Sequence, residues 1–235
     1  MTSSTKPTDK EIQNIFNNIA PIYDQMNNWL SFGVHHIWKK MAVKWSNAHP
    51  HHQGLDLCCG TGDLTFLLAK QITHGEVYGV DFSPQLLAVA QEKQQQKPLM
   101  NNITWLEGDV LTLPFNDNTF DCATMGYGLR NVVNIPLALE EIYRVLKPNS
   151  KIAILDFHRP SDSLLAQAQK WYLDNIVVNM AQYFGSTAEY AYINPSLDRF
   201  PCGEEQIKLG KKAGFHSVVH YPLAGGIMGV LVLTK

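Results

Sequence analysis

Three features of this 235-residue sequence predict an α/β fold, with a mostly parallel seven-stranded sheet and helices on both faces. From Gly54 onward, strand-length apolar runs alternate with segments of helical period, as in sheets built from β-α-β units. The stretch 54–63, GLDLCCGTGD, reads as a buried strand running through a glycine turn into a helix. Thr61, Asp81, Asp109, residues 126–131 and Asp156 all fall after predicted strand ends, the edge where such sheets take ligands.

Taken in order, Ile12, Ile15, Phe16 and Ile19 recur at helical spacing and predict an amphipathic helix over 11–20. A polar-aromatic loop follows at 23–27. A second helix is expected over 33–45, where His35, Trp38 and Met41 stand a turn apart. This pair precedes the first strand and is expected to cover the open side of the site. Taken alone, His35 and Trp38 read as packing residues. The core strands are expected at 54–58, 76–80, 103–107, 120–125 and 151–157. Their helices are expected near 62–72, 83–95 and 136–146, the second opened by a Ser83-Pro84 cap. Residues 147–150 read as the stop before the fifth strand. The segment 159–201 breaks the rhythm. It is helical and aromatic-rich, with Trp171, Tyr172, Tyr183, Phe184, Tyr190, Tyr192 and Phe200. Such a cap suits a large apolar substrate, or its aromatics form the cap's own core. A helix over 204–213 and strands at 217–221 and 229–233 close the chain, with Gly225-Gly226 as a hairpin-like return. The organisation expected is one domain: a helical cap over 1–50, a cofactor-binding core over 54–158, a lid over 159–201 and a closing unit over 202–235.

Composition excludes several classes. A net charge of −2 and no Lys/Arg run give no footprint for nucleic acid. Cys58, Cys59, Cys122 and Cys202 show no CxxC spacing, so zinc and a disulfide framework are not expected. Cys58 and Cys59 read as small apolar residues under the cofactor. The histidines at 49, 51 and 52 lie in a linker and are not read as a metal site. The first ten residues resemble neither a secretory signal nor a transit peptide, and no apolar window reaches membrane-span length. A cytoplasmic location is expected.

The glycine turn identifies the ligand class. Gly60 and Gly62 bracket Thr61 and let a ligand approach bare backbone at a helix start. Asp81 ends the second strand about 20 residues on, where such sites keep an acid for ribose hydroxyls. A dinucleotide fingerprint wants glycine where Thr65 stands. Asp56 and Asp63 flank the turn and suit an ammonium or sulfonium better than a pyrophosphate. That charge argument favours S-adenosylmethionine over NAD. Gly108-Asp109-Val110 lies where an adenine could be bracketed.

At these residues the chain resembles the C-methyltransferases of ubiquinone and menaquinone biosynthesis. One family signature is matched by Tyr23, Asp24, Met26, Asn27, Leu30, Ser31, His35 and Trp38, and a second opens at 144–148, Arg-Val-Leu-Lys-Pro. A third block appears as Tyr127-Gly128-Leu129-Arg130-Asn131. The chain departs from the family's common pattern at Asn149-Ser150 and at Asp156-Phe157-His158. These departures, with Leu57-Cys58-Cys59-Gly60 and Gly225-Gly226-Ile227-Met228-Gly229, resemble the cyanobacterial and plant branch. The resemblance implies a Rossmann-like class I methyltransferase that uses S-adenosylmethionine to methylate demethylphylloquinol. Demethylmenaquinol, a ubiquinone precursor, or a non-catalytic quinone-binding role are the alternatives. No metal is implied, and the oligomeric state is not indicated.

The cofactor set expected is Asp56, Gly60, Thr61, Gly62, Asp81, Phe82, Asp109, Val110 and Gly126. The ring is expected to meet Tyr23, Asn27, His35, Tyr127 and Asn131. A quinol whose hydroxyl has lost its proton is a carbon nucleophile; the oxidised quinone is not. Arg130 is expected to stabilise the phenolate, or else to pair with Glu140 or Glu141. Asp156 or water would take the ring proton, with Tyr23 assisting. The substrate's tail lives in lipid, so transient membrane contact through 159–201 is expected, on the thylakoid if the branch is right.

Overall fold

The computed structural model describes residues 8–25, 28, 33–97, 100–177 and 192–235. Seven strands form one sheet: β1 Gln53–Leu57, β2 Glu76–Asp81, β3 Ile103–Glu107, β4 Phe120–Gly126, β5 Leu146–Phe157, β6 Ser217–Leu223 and β7 Met228–Thr234. Their order is β3-β2-β1-β4-β5-β7-β6. The first five run parallel, and β7 lies antiparallel between β5 and β6. Strand order reverses between β1 and β4, which opens a crevice above their carboxyl ends.

The helices are α1 Asp9–Ile19, α2 His35–Trp45, α3 Asp63–Gln71, α4 Pro84–Gln95, α5 Ile135–Val145, α6 Ser163–Tyr172, α7 Ile193–Arg199 and α8 Gly203–Lys212. Local chemistry sets several starts. Thr8 and Glu11 form a reciprocal capping box on α1. The Ser83 hydroxyl accepts from Leu86 N and Pro84 follows it, as the sequence indicates. Asn134 caps α5 in the same way.

The sheet is buried on both sides. Leu55 and Leu57 of β1 pack with Phe120, Leu139 and Ile142 in one core. Ala42 and Val43 of α2 pack with Leu64 and Leu68 of α3, Val77 and Ala153 in the other. Each wholly buried leucine or isoleucine contributes ~1.5–3 kcal/mol by leaving water. A third, smaller cluster lies above the strand ends. Ile19, Leu173, Val177 and Leu197 form it, with Phe16, Tyr23, Phe157 and Tyr172 against it.

Three expectations are corrected. The predicted stop at 147–150 is part of β5, which starts at Leu146 opposite Phe120 and resumes register at Lys151 after an irregularity. Asn149, in the left-handed region at φ 66°, donates to the carbonyl of Lys235, so the C-terminus holds the bulge in the sheet. Only α1 of the N-terminal pair sits over the crevice. It packs on α4, whereas α2 packs on α3, β4 and β5 and covers a sheet face. Of the predicted lid, α6, a π-helical turn at Leu173–Val177 and α7 are described. Tyr183, Phe184, Tyr190 and, in the N-terminal loop, Met26, Asn27, Leu30 and Ser31 lie outside the described residues.

Candidate active site

The turn after β1 has the backbone that its glycines require. Cys58, Gly60 and Gly62 all take positive φ, at 50°, 54° and 89°. Gly62 is the N-cap of α3, and a Cβ there would approach Trp105 to 2.5 Å. At Gly60 a Cβ would meet only the Tyr23 ring, at 3.7 Å, so this backbone borders open space. The cleft beside it opens at the carboxyl ends of β1, β2 and β4, where such sheets take ligands. Of the predicted cofactor set, Gly60, Asp81, Phe82, Asp109, Val110 and Gly126 line it, with Cys58 beneath. Tyr23, Tyr127 and Asn131 of the predicted substrate set line it too.

Asp81 is 3% exposed at the end of β2. Its carboxylate accepts from Gly60 N at 2.8 Å and Ser83 N at 2.9 Å. Burial, against those bonds, pushes its pKa up to about 6. Asp109 is exposed and folds its own turn, accepting from Leu111 N at 2.9 Å. Val110 is buried beside it.

The charge argument from the glycine turn needs correction. Asp63 is not a free counter-charge, because it pairs with Lys39 at 2.7 Å and Lys93 at 3.4 Å. Burial alone would raise its carboxyl, but the two ammonium groups outweigh burial and hold it at about 2. Asp56 is wholly buried and accepts from Thr65 Oγ1 at 2.6 Å and Thr124 Oγ1 at 2.8 Å. Burial raises it to about 7. Its two hydroxyl partners tie α3 to β1 and β4, so it braces the turn from below. Gly62 and Thr61 likewise shape the turn. Thr61 Oγ1 donates to Asp24 at 2.5 Å.

That bond exposes a contact that sequence reasoning missed. Asp24 belongs to the loop expected to orient the ring, yet it is tied to Thr61 and ion-paired with Lys93 of α4. Gln13 donates to Phe82 O at 2.5 Å, and Ser83 Oγ to Asn17 at 2.6 Å. The N-terminal segment is thereby latched across both the glycine turn and the β2–α4 turn. Phe16, read only as a helix position, and Asp9, just before the predicted helix, line the cleft. His35 is not among the lining residues. It is buried, and burial with nearby Lys39 lowers it to about 4.

The two catalytic candidates past β4 and β5 are partners of each other. Arg130 Nη1 donates to Asp156 at 2.5 Å and to Tyr127 O at 3.0 Å. Arg130 N donates to the other Asp156 oxygen at 3.0 Å, and Phe157 N donates at 2.8 Å. Asp156 is 1% exposed. With two backbone N–H donors and a guanidinium on its two oxygens, it is poorly placed to take a proton. The alternative pairing of Arg130 is also corrected: Glu141 holds Arg144 at 2.8 Å and the backbone N of Leu113. Among the described residues, Arg130 Nε and Asn131 Oδ1 are the buried side-chain polar atoms without a hydrogen-bond partner. Arg130 lies behind the cleft wall, in a side pocket it shares with Asn131, Val132 and Val133.

This sheet order, with a glycine turn and a buried strand-end acid at one cleft, defines an S-adenosylmethionine-dependent methyltransferase of the Rossmann-like class. A methyltransferase of that class from Thermotoga maritima superposes with a TM-score of 0.65, covering 94% of this chain and 99% of that one at 22% identity. One from Aquifex aeolicus gives 0.62, over 83% and 88%, at 20% identity. At these identities the likeness concerns the fold. Over residues 4–235 the chain matches the ubiE/COQ5 methyltransferase family, and it belongs to that family. A 2-phytyl-1,4-naphtoquinone methyltransferase of Nostoc punctiforme is 58% identical over 226 residues, 96% of this chain and 98% of that one. One of Synechocystis is 56% identical over 232 residues, 98% of each. The chloroplastic 2-phytyl-1,4-beta-naphthoquinone methyltransferase of Arabidopsis thaliana is 48% identical, over 94% of this chain and 86% of that one.

Proposed function

We propose that this protein methylates the ring carbon of 2-phytyl-1,4-naphthoquinol, the closing methylation of phylloquinone synthesis. The observation that carries the reading is near-full-length identity above half to proteins named for that reaction. It is joined here to a cleft whose walls suit the two reactants. Bound S-adenosylmethionine supplies an electrophilic methyl group.

The residues that would hold it are those at the β1, β2 and β3 ends. The buried Asp81 carboxylate accepts ribose hydroxyls, a stronger bond when the acceptor is ionised. Phe82 and Val110 flank the adenine, and Gly60 with Gly126 leave backbone bare for close approach. On the other side, Tyr23, Tyr127 and Asn131 hold the ring. Arg130 supplies fixed positive charge for the phenolate. It acts from behind the cleft wall through the field of its guanidinium, while Asn131 lines the cleft itself. Asp156 orients Arg130, and water takes the ring proton. His35, buried in α2 and absent from the cleft lining, is left out of the ring site.

In this reading the N-terminal segment and 159–201 cover the substrate, and the enzyme works peripherally at a membrane, in a cyanobacterium the thylakoid. No helix among the described residues is long and apolar enough to cross a membrane. Incubation with labelled S-adenosylmethionine, 2-phytyl-1,4-naphthoquinol and, separately, a prenylated benzoquinol tests the substrate. Label is expected in the naphthoquinol. Transfer to the benzoquinol alone would overturn the assignment.

A further inference from the structure

The helix α6 has two sides of opposite character. Asp162 caps it by accepting from Leu164 N and Leu165 N, both at 2.9 Å. Its inner side is fixed. Gln169 is 6% exposed and donates to His158 O at 2.8 Å. Just beyond the helix, Leu173 and Val177 enter the small cluster that also packs Tyr23 and Phe157. Tyr23 lines the cleft, and Phe157 lies 5.3 Å from the ring of Tyr127, another lining residue.

The outer side carries Leu164 at 75% exposure, Leu165 at 41%, Trp171 at 60% and Ile176 at 36%. Leu164 and Trp171 are seven residues apart, two helical turns, so they share a face. Leu165 is turned about 100° from that face, towards Gln169, and Ile176 stands in the π-helical turn beyond the helix. Lone exposed apolar residues need no explanation, but a stripe of them does. Arg159 is paired with Asp198 and Asp174 accepts from Asn194, which leaves Lys170 against Asp162 beside the face. The face is therefore apolar and electrically neutral. An indole next to a lysine is the pairing that settles at a lipid headgroup boundary.

We infer that α6 is the membrane-docking element, with Leu164 and Trp171 inserted at the lipid interface. This rests on the quinol reading for its purpose: a substrate with a phytyl tail must be taken from lipid. Leu173 and Val177, just beyond α6, pack in the buried cluster against Tyr23, so the helix is anchored beside the cleft. Because the face is neutral, docking depends on apolar insertion and not on anionic lipid.

Flotation with phosphatidylcholine vesicles tests the surface independently of turnover. The Leu164→Gln/Trp171→Gln double variant is expected to partition about tenfold less than the parent. The parent's partitioning is expected to change less than about twofold in high salt, since screening weakens charge contacts only. Turnover of vesicle-embedded 2-phytyl-1,4-naphthoquinol should fall with partitioning. Turnover of tail-less 1,4-naphthoquinol in buffer and S-adenosylmethionine affinity should not change, which also reports an intact fold. A Leu164→Ile/Trp171→Phe variant should retain docking. Equal flotation and equal vesicle turnover by the double variant would overturn the proposal, as would parent binding abolished by salt. So would a parent dimer that the double variant splits, with no vesicle binding by either. Docking lost as expected, while no quinol is methylated even by the parent, would leave the surface standing and sink the substrate reading.

Discussion

The ends of β2 and β5 each present one buried acid, and the two acids are used in opposite ways. Asp81 is 3% exposed and Asp156 1%, and each accepts a backbone N–H from the turn after the neighbouring strand, Gly60 after β1 and Arg130 after β4, and one from the residues that follow it. Asp81 has no cation beside it among the described residues, and burial raises its pKa to about 6. Asp156 is joined by the guanidinium of Arg130. A buried acid without a cation is open to a ligand's hydroxyl donors. A buried acid with one is committed, and its chemistry passes to the cation it holds. The β1–β2 side of the rim is thus built on an acceptor, and the β4–β5 side on an oriented positive charge.

The largest expected effect tests the β4–β5 side. Arg130→Leu should lower turnover by about a thousandfold, since fixed charge at a developing oxyanion is worth several kcal/mol, while S-adenosylmethionine affinity stays within about threefold. It should also lower Tm, because Asp156 is left buried and unpaired at a cost of ~3–5 kcal/mol. Replacing both Arg130 and Asp156 by Leu should recover much of the Tm but none of the turnover. Steady-state kinetics and calorimetric melting decide both points. Asp156→Asn should cost about tenfold in kcat and leave the shape of the pH profile unchanged. Loss of the acid limb, with a drop of ~10²–10⁴, would make Asp156 the base after all.

The pH dependence of two acids beside the glycine turn, Asp81 and Asp63, differs in sign. Asp81 titrates in the folded protein near 6, above its unfolded value of ~3.9. Its contribution to stability is therefore full below that unfolded value and is lost as pH rises through about 6. Cofactor binding runs the other way, since hydroxyl donors need the carboxylate. Affinity for S-adenosylmethionine should be about tenfold weaker at pH ~5 than on its plateau near pH ~8. Asp63, held at about 2, stabilises the fold above its unfolded pKa and loses that contribution as pH falls through about 2. Lys39→Met leaves it Lys93 alone. On a carboxylate 31% exposed, that should cost only about 1 kcal/mol, or ~2–4 °C in Tm.

Much of this was legible in the chain itself. Alternating periodicity places all seven strands, and the glycine turn and Asp81 meet at one cleft as their strand-end positions indicate. What sequence spacing does not carry is pairing across the fold. Asp56 and Asp63 read alike beside the turn, yet one meets two hydroxyls and the other two ammonium groups. Lys39 and Lys93 come to Asp63 from 24 and 30 residues away in sequence. Arg130 and Asp156 were each singled out, but their mutual bond depends on adjacency of β4 and β5 and on the turn at 127–131. The strand at 146–150 was hidden because Pro148 and Asn149 look like a stop, and only pairing with Lys235 keeps them in the sheet.

Calorimetric titration of S-adenosylmethionine into the parent, Asp81→Asn and Asp156→Asn proteins tests this division of labour most directly. Asp81→Asn should bind about a hundredfold more weakly, as expected for lost charge-assisted bonds to two hydroxyls, while Asp156→Asn should stay within about threefold of the parent. Equal losses in the two variants, or the larger loss in Asp156→Asn, would contradict it.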